Sequence, residues 1–126
     1  MSLSEFIIND LTPSSTETLV GELHDIFKGL TYSHIPVLKK GTYLGCLSET
    51  DVFCFESKDK VNDVKYAIET FYVRNSTLWL NILKAFAEND SNIMPVLDKE
   101  NNYLGYYRLN DIISMFNNIP FFYEHG

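Results

Sequence analysis

The sequence predicts an α+β (α/β) domain made of two pseudo-symmetric motifs, each ordered strand–helix–strand–strand–helix and packed through their sheets. The first observation is a repeat: Pro36 and Pro95 are 59 residues apart, and Gly45 and Gly105 are 60 residues apart. The second is an amphipathic helix that precedes each copy at the same spacing. The third is that 45% of the 126 residues are apolar, enough for one core. Because a repeated unit buries its apolar face against the other copy, we expect the function to reside at the seam.

The charge of the chain narrows the classes of function. The 17 acidic and 10 basic residues give a net charge of −7. Nucleic-acid binding needs a basic surface, so we expect no nucleic-acid partner. A single nucleotide in a pocket remains possible, because helix termini and one or two side chains can hold it. No apolar run approaches membrane-spanning length and no basic leader precedes one, so we expect a cytoplasmic protein without a membrane partner.

The first copy begins with a lead-in and a helix. Residues 2–5 have the Ser-x-x-Glu spacing of a capping box, which predicts a short helical turn before the apolar residues 6–8. A second helix is predicted to end near Gly29. Its apolar face consists of Leu19, Val20, Leu23, Ile26, Phe27 and Leu30.

A hairpin and a short helix follow. Residues 35–38 form a predicted strand with Pro36 near its start, where a missing amide costs a sheet least. Residues 39–41 make the turn and residues 43–47 the return strand. Ser48 is then the predicted cap of a helix through Phe53. Cys46 and Cys54 are expected to be reduced and buried.

The second copy repeats this order after a charged link over residues 56–63. A helical turn is predicted at 64–68, a strand at 71–73, a helix after Thr77, a hairpin with a turn at 98–102, and a final helix from Leu109. We divide the chain into a first motif with its lead-in (1–58), a second motif (59–118) and an apolar tail (119–126), with both motifs in one compact domain. The tail could pack on the body, lie in a subunit interface, or continue into a longer chain.

Both hairpins share a pattern that resembles a known family. The pattern is hydrophobic-Pro-Val-hydrophobic, a turn, and then Gly-hydrophobic-hydrophobic-Ser/Thr-x-x-Asp, which is similar to the signature of the CBS domain. The resemblance extends from about Phe6 to Phe116. CBS domains occur as tandem pairs, also called Bateman modules. The resemblance implies a regulatory module, attached to an enzyme, channel or transporter, that forms a homodimer. It also implies that AMP, ADP, ATP or S-adenosylmethionine binds in the clefts between the two motifs.

The first motif carries the preferred ligand site. The resemblance implies that Asp51 holds the ribose hydroxyls and that Ser48 lies near the phosphates. The chemistry agrees, because Ser48 stands where a strand becomes a helix, with backbone amides that can bind an anion. The Asp51 carboxylate can accept two hydrogen bonds, which suits a cis-diol, and Gly45 would leave room for a base. Alternatively, Ser48 and Asp51 only cap the helix.

The second motif departs from the pattern at one position. Arg108 replaces Ser/Thr, whereas Asp111 is kept. Arg108 could contact a phosphate bidentately, or it could pair with Asp111 and fill the cleft itself. A ring of Tyr106 or Tyr107 could stack on a base or pack in the core. Weaker candidates for lining the clefts are His34, Pro36, Pro95, Gly45 and Gly105.

Catalytic and metal-binding patterns are absent from the sequence. It contains no Gly-x-Gly-x-x-Gly and no phosphate loop. His24, His34 and His125 are scattered, and none has a cysteine at metal-ligand spacing, so we expect no metal site. No nucleophile–base constellation appears, so we expect a protein that is not an enzyme and requires no cofactor. The alternative function is a ligand-free pair that serves only for dimerisation or docking.

Overall fold

The structure is a computed structural model that describes residues 3–117. Ser2 of the predicted capping box, His125 and the tail over residues 119–126 lie outside the described residues. A 3₁₀ turn at Ser4–Phe6 stands where the helical lead-in was predicted.

The first half of the chain forms a three-stranded sheet with two helices. The strand order is β1-β2-β3, with β1 parallel and β3 antiparallel to the central β2. The elements are β1 (Ser14–Ser15), α1 (Val20–Lys28), β2 (His34–Lys39), β3 (Thr42–Ser48) and α2 (Glu49–Val52).

The second half repeats this topology in the order β4-β5-β6. A 3₁₀ helix at Val61–Ala67 joins the halves, close to the predicted helical turn. The elements are β4 (Val73–Arg74), α3 (Trp79–Glu88), β5 (Ile93–Leu97), β6 (Tyr103–Arg108) and α4 (Leu109–Asn117). The predicted fold class, two mixed α/β motifs with three-stranded sheets, is confirmed.

The halves exchange their lead-in segments across the seam. Ile8 exchanges two backbone hydrogen bonds of 2.9 Å with Tyr106 of β6. In the same way Glu69, which precedes β4, exchanges bonds of 2.8 and 2.9 Å with Cys46 of β3. Each copy therefore contributes main-chain pairing to the last strand of the other, so neither copy is complete alone.

The two motif glycines lie where these segments cross. Gly45 has φ of 150° and Gly105 has φ of 135°, in the region that favours glycine. A Cβ atom at Gly45 would lie 2.6 Å from the Glu69 carbonyl oxygen, and one at Gly105 would come even closer to that of Ile8. The expectation that Gly45 leaves room for a base is thus wrong, because backbone occupies that space.

The motif prolines are buried in the central strands, not placed at the clefts. Pro36 lies opposite Cys46, and Pro95 lies opposite Tyr106. Pairing of β1 with β2 begins only at Val37, one residue after Pro36. The missing proline amide therefore costs no hydrogen bond of the parallel ladder.

Apolar side chains of both halves fill two adjoining cores. The first core lies between α1, α2 and the first sheet and contains Leu23, Phe27 and Leu47. The second core takes Cys46 from β3 into a cluster with residues of α3, β5 and β6. Burial raises the pKa of the Cys46 thiol to about 12. Cys54, predicted to be buried, is exposed at the end of α2.

Candidate functional site

Two clefts open at the seam, each built from the motif of one copy and the helix–strand turn of the other. The first cleft has a volume of about 410 Å³ and the second about 460 Å³. The first cleft is lined by Ser33, His34, Ser48, Thr50, Asp51, Glu69, Asn89 and Asp90. The second cleft is lined by Gly29, Leu30, Thr31, Tyr32, Asn92, Arg108, Asn110 and Asp111.

These linings test the placement of the candidate residues. The structure brings Ser48, Asp51 and His34 together in the first cleft, and Arg108 and Asp111 together in the second. The four weaker candidates Pro36, Pro95, Gly45 and Gly105 line neither cleft, because they lie under backbone or inside the sheets.

Ser48 caps the short helix that carries Asp51. Its hydroxyl oxygen accepts a hydrogen bond of 3.1 Å from the Asp51 amide. The Glu49 amide donates to the Ser33 carbonyl oxygen at 2.9 Å. Since α2 has only four residues, and two of its first amides are bonded within the protein, its start offers little to an anion. The capping alternative for Ser48 is therefore observed.

The carboxylate of Asp51 is open to the first cleft. Among residues 3–117, no hydrogen bond or ion pair involves its side-chain carboxylate. The carboxylate lines the first cleft and can accept hydrogen bonds from a bound molecule. The cleft thus presents one acceptor pair suited to vicinal hydroxyl groups.

Negative charge dominates the first cleft. The carboxylates of Asp51, Glu69 and Asp90 line it, and no lysine or arginine of the described residues does. Among residues 3–117, His34 is the one basic group of this lining. Its Nε2 lies 3.4 Å from a Glu69 carboxylate oxygen, and its Nδ1 lies 2.7 Å from the Ser33 hydroxyl oxygen. Burial lowers the pKa of His34, while the Glu69 carboxylate opposes that shift.

An ion pair forms part of the wall of the second cleft. Arg108 Nε donates to Asp111 Oδ2 at 2.7 Å, and Arg108 Nη2 donates to Asp111 Oδ1 at 3.2 Å. The hydrogen bond to Asp111 raises the pKa of the Arg108 guanidinium, with a smaller contribution from Tyr32. Of the two alternatives for Arg108, pairing with Asp111 is the one observed. Both carboxylate oxygens of Asp111 are engaged.

Tyr32 lines the second cleft and contacts the buried Tyr106 behind it. Tyr106 is fully buried and donates its hydroxyl proton to Asp10. Its hydroxyl also lies 3.2 Å from that of Tyr32, and the two rings meet edge to face at 5.5 Å. Burial raises the pKa of Tyr106. Tyr107 is likewise fully buried, so both strand tyrosines pack in the interior.

Sequence reasoning missed most of the other lining residues, four of which carry charge or hydrogen bonds that matter here. Glu69, Asp90, Tyr32 and Asn92 lie in segments between predicted elements, where one sequence gives no direction for a side chain. The repeat contained a usable signal for one of them. Asn92 stands 59 residues after Ser33, the same offset as the prolines.

That pair marks the pseudo-twofold axis. The Ser33 amide donates to Asn92 Oδ1 at 2.8 Å, and the Asn92 amide donates to Ser33 Oγ at 3.0 Å. Because Ser33 lines the first cleft and Asn92 the second, one hydrogen-bonded pair connects the two sites.

The described residues contain no metal-binding cluster and no membrane-spanning helix. From Leu3 to Asn117, no three His, Cys, Asp or Glu side chains are grouped so that they could hold a metal ion. Within this range, every helix is too short or too polar to cross a bilayer.

Comparison with known proteins identifies the fold of the domain. Residues 4–57 match the model of the CBS domain family. The described chain has the fold of a tandem CBS domain pair. No curated protein matches the sequence.

Three solved structures illustrate the likeness. A CBS domain pair/ACT domain protein from Thermotoga maritima is 20% identical with a TM-score of 0.78, over 92% of this chain and 96% of that chain. CBSX2 in complex with AMP is 17% identical with a TM-score of 0.74, over 90% and 94%. The cytosolic domain of the Mg²⁺ channel MgtE in complex with ATP is 19% identical with a TM-score of 0.74, over 90% and 48%.

Proposed function

We propose that this CBS pair is a non-catalytic, cytoplasmic regulatory module that binds an adenine-containing ligand in the first cleft. The observation that carries the proposal is the Asp51 carboxylate, which lines a seam cleft without a partner among the described residues. Structures of the same fold were determined with AMP in CBSX2 and with ATP in MgtE. Asp51 would accept hydrogen bonds from the ribose hydroxyl groups.

The charges of the cleft favour some adenine ligands over others. Three carboxylates and no lysine or arginine line the first cleft. Each added phosphate increases repulsion, so we expect ADP and ATP to bind more weakly than AMP. S-adenosylmethionine carries a sulfonium and an ammonium group, which the carboxylates attract. AMP and S-adenosylmethionine are therefore the preferred candidates.

The second cleft is proposed to stay without ligand. Arg108 already engages both oxygens of Asp111, and a ribose would have to displace it. The module would accordingly take up one ligand per chain.

Ligand binding in the first cleft would act on the arrangement of the two copies. Ser48 and Asp51 belong to the first motif, whereas Asn89 and Asp90 belong to the second. A ligand that contacts both stabilises the relative position it fits best, which is a shift of population between arrangements. The regulated partner would be another domain of a longer natural chain or a separate protein.

Thermal-shift titration with the four ligands tests this function. A ligand at 100 times its Kd adds about 2.7 kcal/mol to the free energy of unfolding. Asp51→Ala should weaken binding about 10- to 100-fold, because it removes hydrogen bonds to a charged group. Asp111→Ala should leave binding nearly unchanged. The ligand-free variants are melted in parallel, since Asp51 lies in α2. Equal losses from the two variants would refute the assignment.

A groove between α3 and α4 supports the proposal that the module is a homodimer. The groove is lined on its apolar side by Leu83, Phe86, Ala87 and Leu109. Leu80 and Ile113 extend it as exposed side chains, 61% and 42% accessible. An apolar strip of this kind can pack against the same strip of a second copy about a twofold axis.

Sedimentation measures the dimer directly. Leu80→Lys should reduce the mass from two chains to one, because it places a charge in the apolar contact. Tyr66→Lys is the matched control, since Tyr66 is 77% exposed on the 3₁₀ helix away from this groove. A wild-type mass of one chain would contradict the dimer.

The Arg108–Asp111 ion pair favours one alternative, a ligand-free pair of motifs that serves only for dimerisation or docking. In that case none of the four ligands would raise the melting temperature at millimolar concentration, while the Leu80→Lys effect on mass would persist.

A further inference from the structure

Of the described residues, His34 is the one basic group that lines the first cleft. Its side chain is 5% exposed, whereas that of its partner Glu69 is 45% exposed. The imidazole Nε2 faces the Glu69 carboxylate at 3.4 Å. Movement of the Glu69 side chain into solvent would thus open His34 to the cleft without moving the backbone.

We propose that Glu69 is the resident carboxylate partner of His34 and that a ligand phosphate replaces it there, so that binding of a phosphorylated ligand takes up a proton. The proposal rests on the proposed function, because it assigns a role to side chains of the same cleft. It makes His34 the group that discriminates phosphorylated from unphosphorylated adenine ligands.

The groups around His34 give the charge balance. Glu69 faces it from the segment before β4, Asp51 from α2, and Asp90 from the turn between α3 and β5. Phe71 meets its ring edge to face at 5.3 Å. Burial lowers the pKa of His34 and outweighs the three carboxylates, which raise it. The unliganded cleft therefore holds His34 mainly neutral above pH 6.5. A phosphate beside Nε2 adds negative charge and favours the imidazolium.

The hydrogen bonds behind the ring serve both protonation states. When His34 is neutral, the Ser33 hydroxyl donates to Nδ1 at 2.7 Å. When it is charged, Nδ1 donates to Ser33 Oγ, and the Ser33 proton turns to Ser91 Oγ at 3.4 Å. Ser33 Oγ accepts from the Asn92 amide at 3.0 Å in both cases. Charging His34 therefore leaves no polar group unpaired.

This network also runs through the pseudo-twofold axis. Ser33 and Asn92 hold the two copies together there. A proton gained at His34 reorients the Ser33 hydroxyl, so ligand binding reaches the contact between the copies.

Calorimetric titration with AMP and adenosine between pH 5.5 and 7.5 tests the proposal on the full chain. On acidification, the affinity of the wild type for AMP should rise about tenfold more than the affinity of His34→Gln for AMP. This difference corresponds to a shift of one pKa unit at one group. The phosphate of AMP itself titrates near pH 6. This contribution is the same for both proteins, so it drops out when the wild type is compared with His34→Gln. Adenosine should bind the wild type and His34→Gln with the same pH profile.

Two further variants control the result. His24→Gln removes a histidine whose ring is bonded to Val52 and Ser57, outside the cleft, and should keep the wild-type profile. Glu69→Gln removes the competing carboxylate and should tighten AMP binding about fivefold at pH 7.5, with adenosine unchanged. This variant retains His34, so it tests the proposal even if His34→Gln melts too early to titrate.

The outcomes separate this proposal from the proposed function. AMP binding with one pH profile in the wild type and His34→Gln overturns the role of His34 and leaves the ligand site intact. Weaker AMP binding in Glu69→Gln also overturns it. Binding of neither AMP nor adenosine at any pH refutes the ligand site and the role of His34 together.

Discussion

The two clefts differ although the same topology builds both. In the first, Ser48 caps α2 and leaves the Asp51 carboxylate without a partner among the described residues. In the second, Arg108 occupies the position equivalent to Ser48 and donates hydrogen bonds to both carboxylate oxygens of Asp111. Over the same three-residue separation, the Ser48 hydroxyl accepts from the backbone amide of the acid, whereas the Arg108 guanidinium pairs with the carboxylate. One residue type at one repeat position thus separates a carboxylate that is open to a ligand from one that is already paired.

What the two copies share is the crossing of lead-in segments. Gly45 and Gly105 both lie beneath the backbone of the opposite lead-in, even though the clefts beside them have diverged. The contact between copies is therefore the more uniform feature of the fold, and the cleft chemistry is the variable one.

The largest expected effect comes from substitutions that disrupt the crossing of the lead-in segments. Gly105→Ala and Gly45→Ala should each lower the free energy of unfolding by about 2–4 kcal/mol, through backbone strain and steric overlap. Urea denaturation measures the loss. Gly29→Ala is the control, because a Cβ atom there would lie 3.8 Å from its nearest neighbour, the Ile26 carbonyl oxygen, and φ of Gly29 is −102°. Near-neutral changes at both motif glycines would contradict the crossing.

The next effect converts the second cleft into a copy of the first. Arg108→Ser frees Asp111 and introduces a cap like Ser48, so a second ligand should bind per chain. The stoichiometry of an AMP titration measures this gain. Asp111→Ala combined with Arg108→Ser should return it to the wild-type value. An unchanged stoichiometry in Arg108→Ser alone would show that Arg108 is not what closes the cleft.

A smaller effect compares the two motif positions in stability. Ser48→Ala should cost about 1 kcal/mol, because it leaves a helix amide without its cap. Arg108→Ala should cost about 0.5 kcal/mol, since the ion pair is partly solvated, with side chains 41% and 28% exposed. Chemical denaturation of the two variants gives the ranking, and the reverse order would count against the cap.

The smallest effect is a pH dependence that belongs to the first cleft alone. Burial lowers the pKa of His34 in the folded state below its ordinary 6.5. Between the folded and the unfolded pKa of His34, the unfolded chain binds more protons than the folded one. The stability of the ligand-free protein should therefore fall as pH drops below about 6.5. Thermal melts from pH 8 to 5.5 measure the slope. His34→Gln should flatten it relative to His24→Gln, and parallel slopes would contradict the burial argument.

Much of the fold could be predicted from sequence because the repeat fixed which elements correspond. The hairpins around Pro36 and Pro95 follow from turn residues and apolar runs, which are local signals. The crossing of Ile8 and Glu69 over the opposite glycines could not be predicted in this way, since it joins segments far apart in the chain. The role first given to Gly45 was wrong for that reason.

The site shows the same division between local and distant contacts. Capping by Ser48 and pairing of Arg108 with Asp111 lie within three residues, and both were among the alternatives that the sequence offered. The pairing of His34 with Glu69 spans 35 residues and depends on the exchanged lead-in segment, so no local pattern indicated it.

The location of bound AMP tests the central claim most directly. A crystal structure of the protein with AMP would show which cleft is occupied. We predict density for AMP in the first cleft, with its ribose hydroxyls on the Asp51 carboxylate, and an intact Arg108–Asp111 pair in the second. AMP bound on Asp111 with Arg108 displaced, and none beside Asp51, would contradict the account.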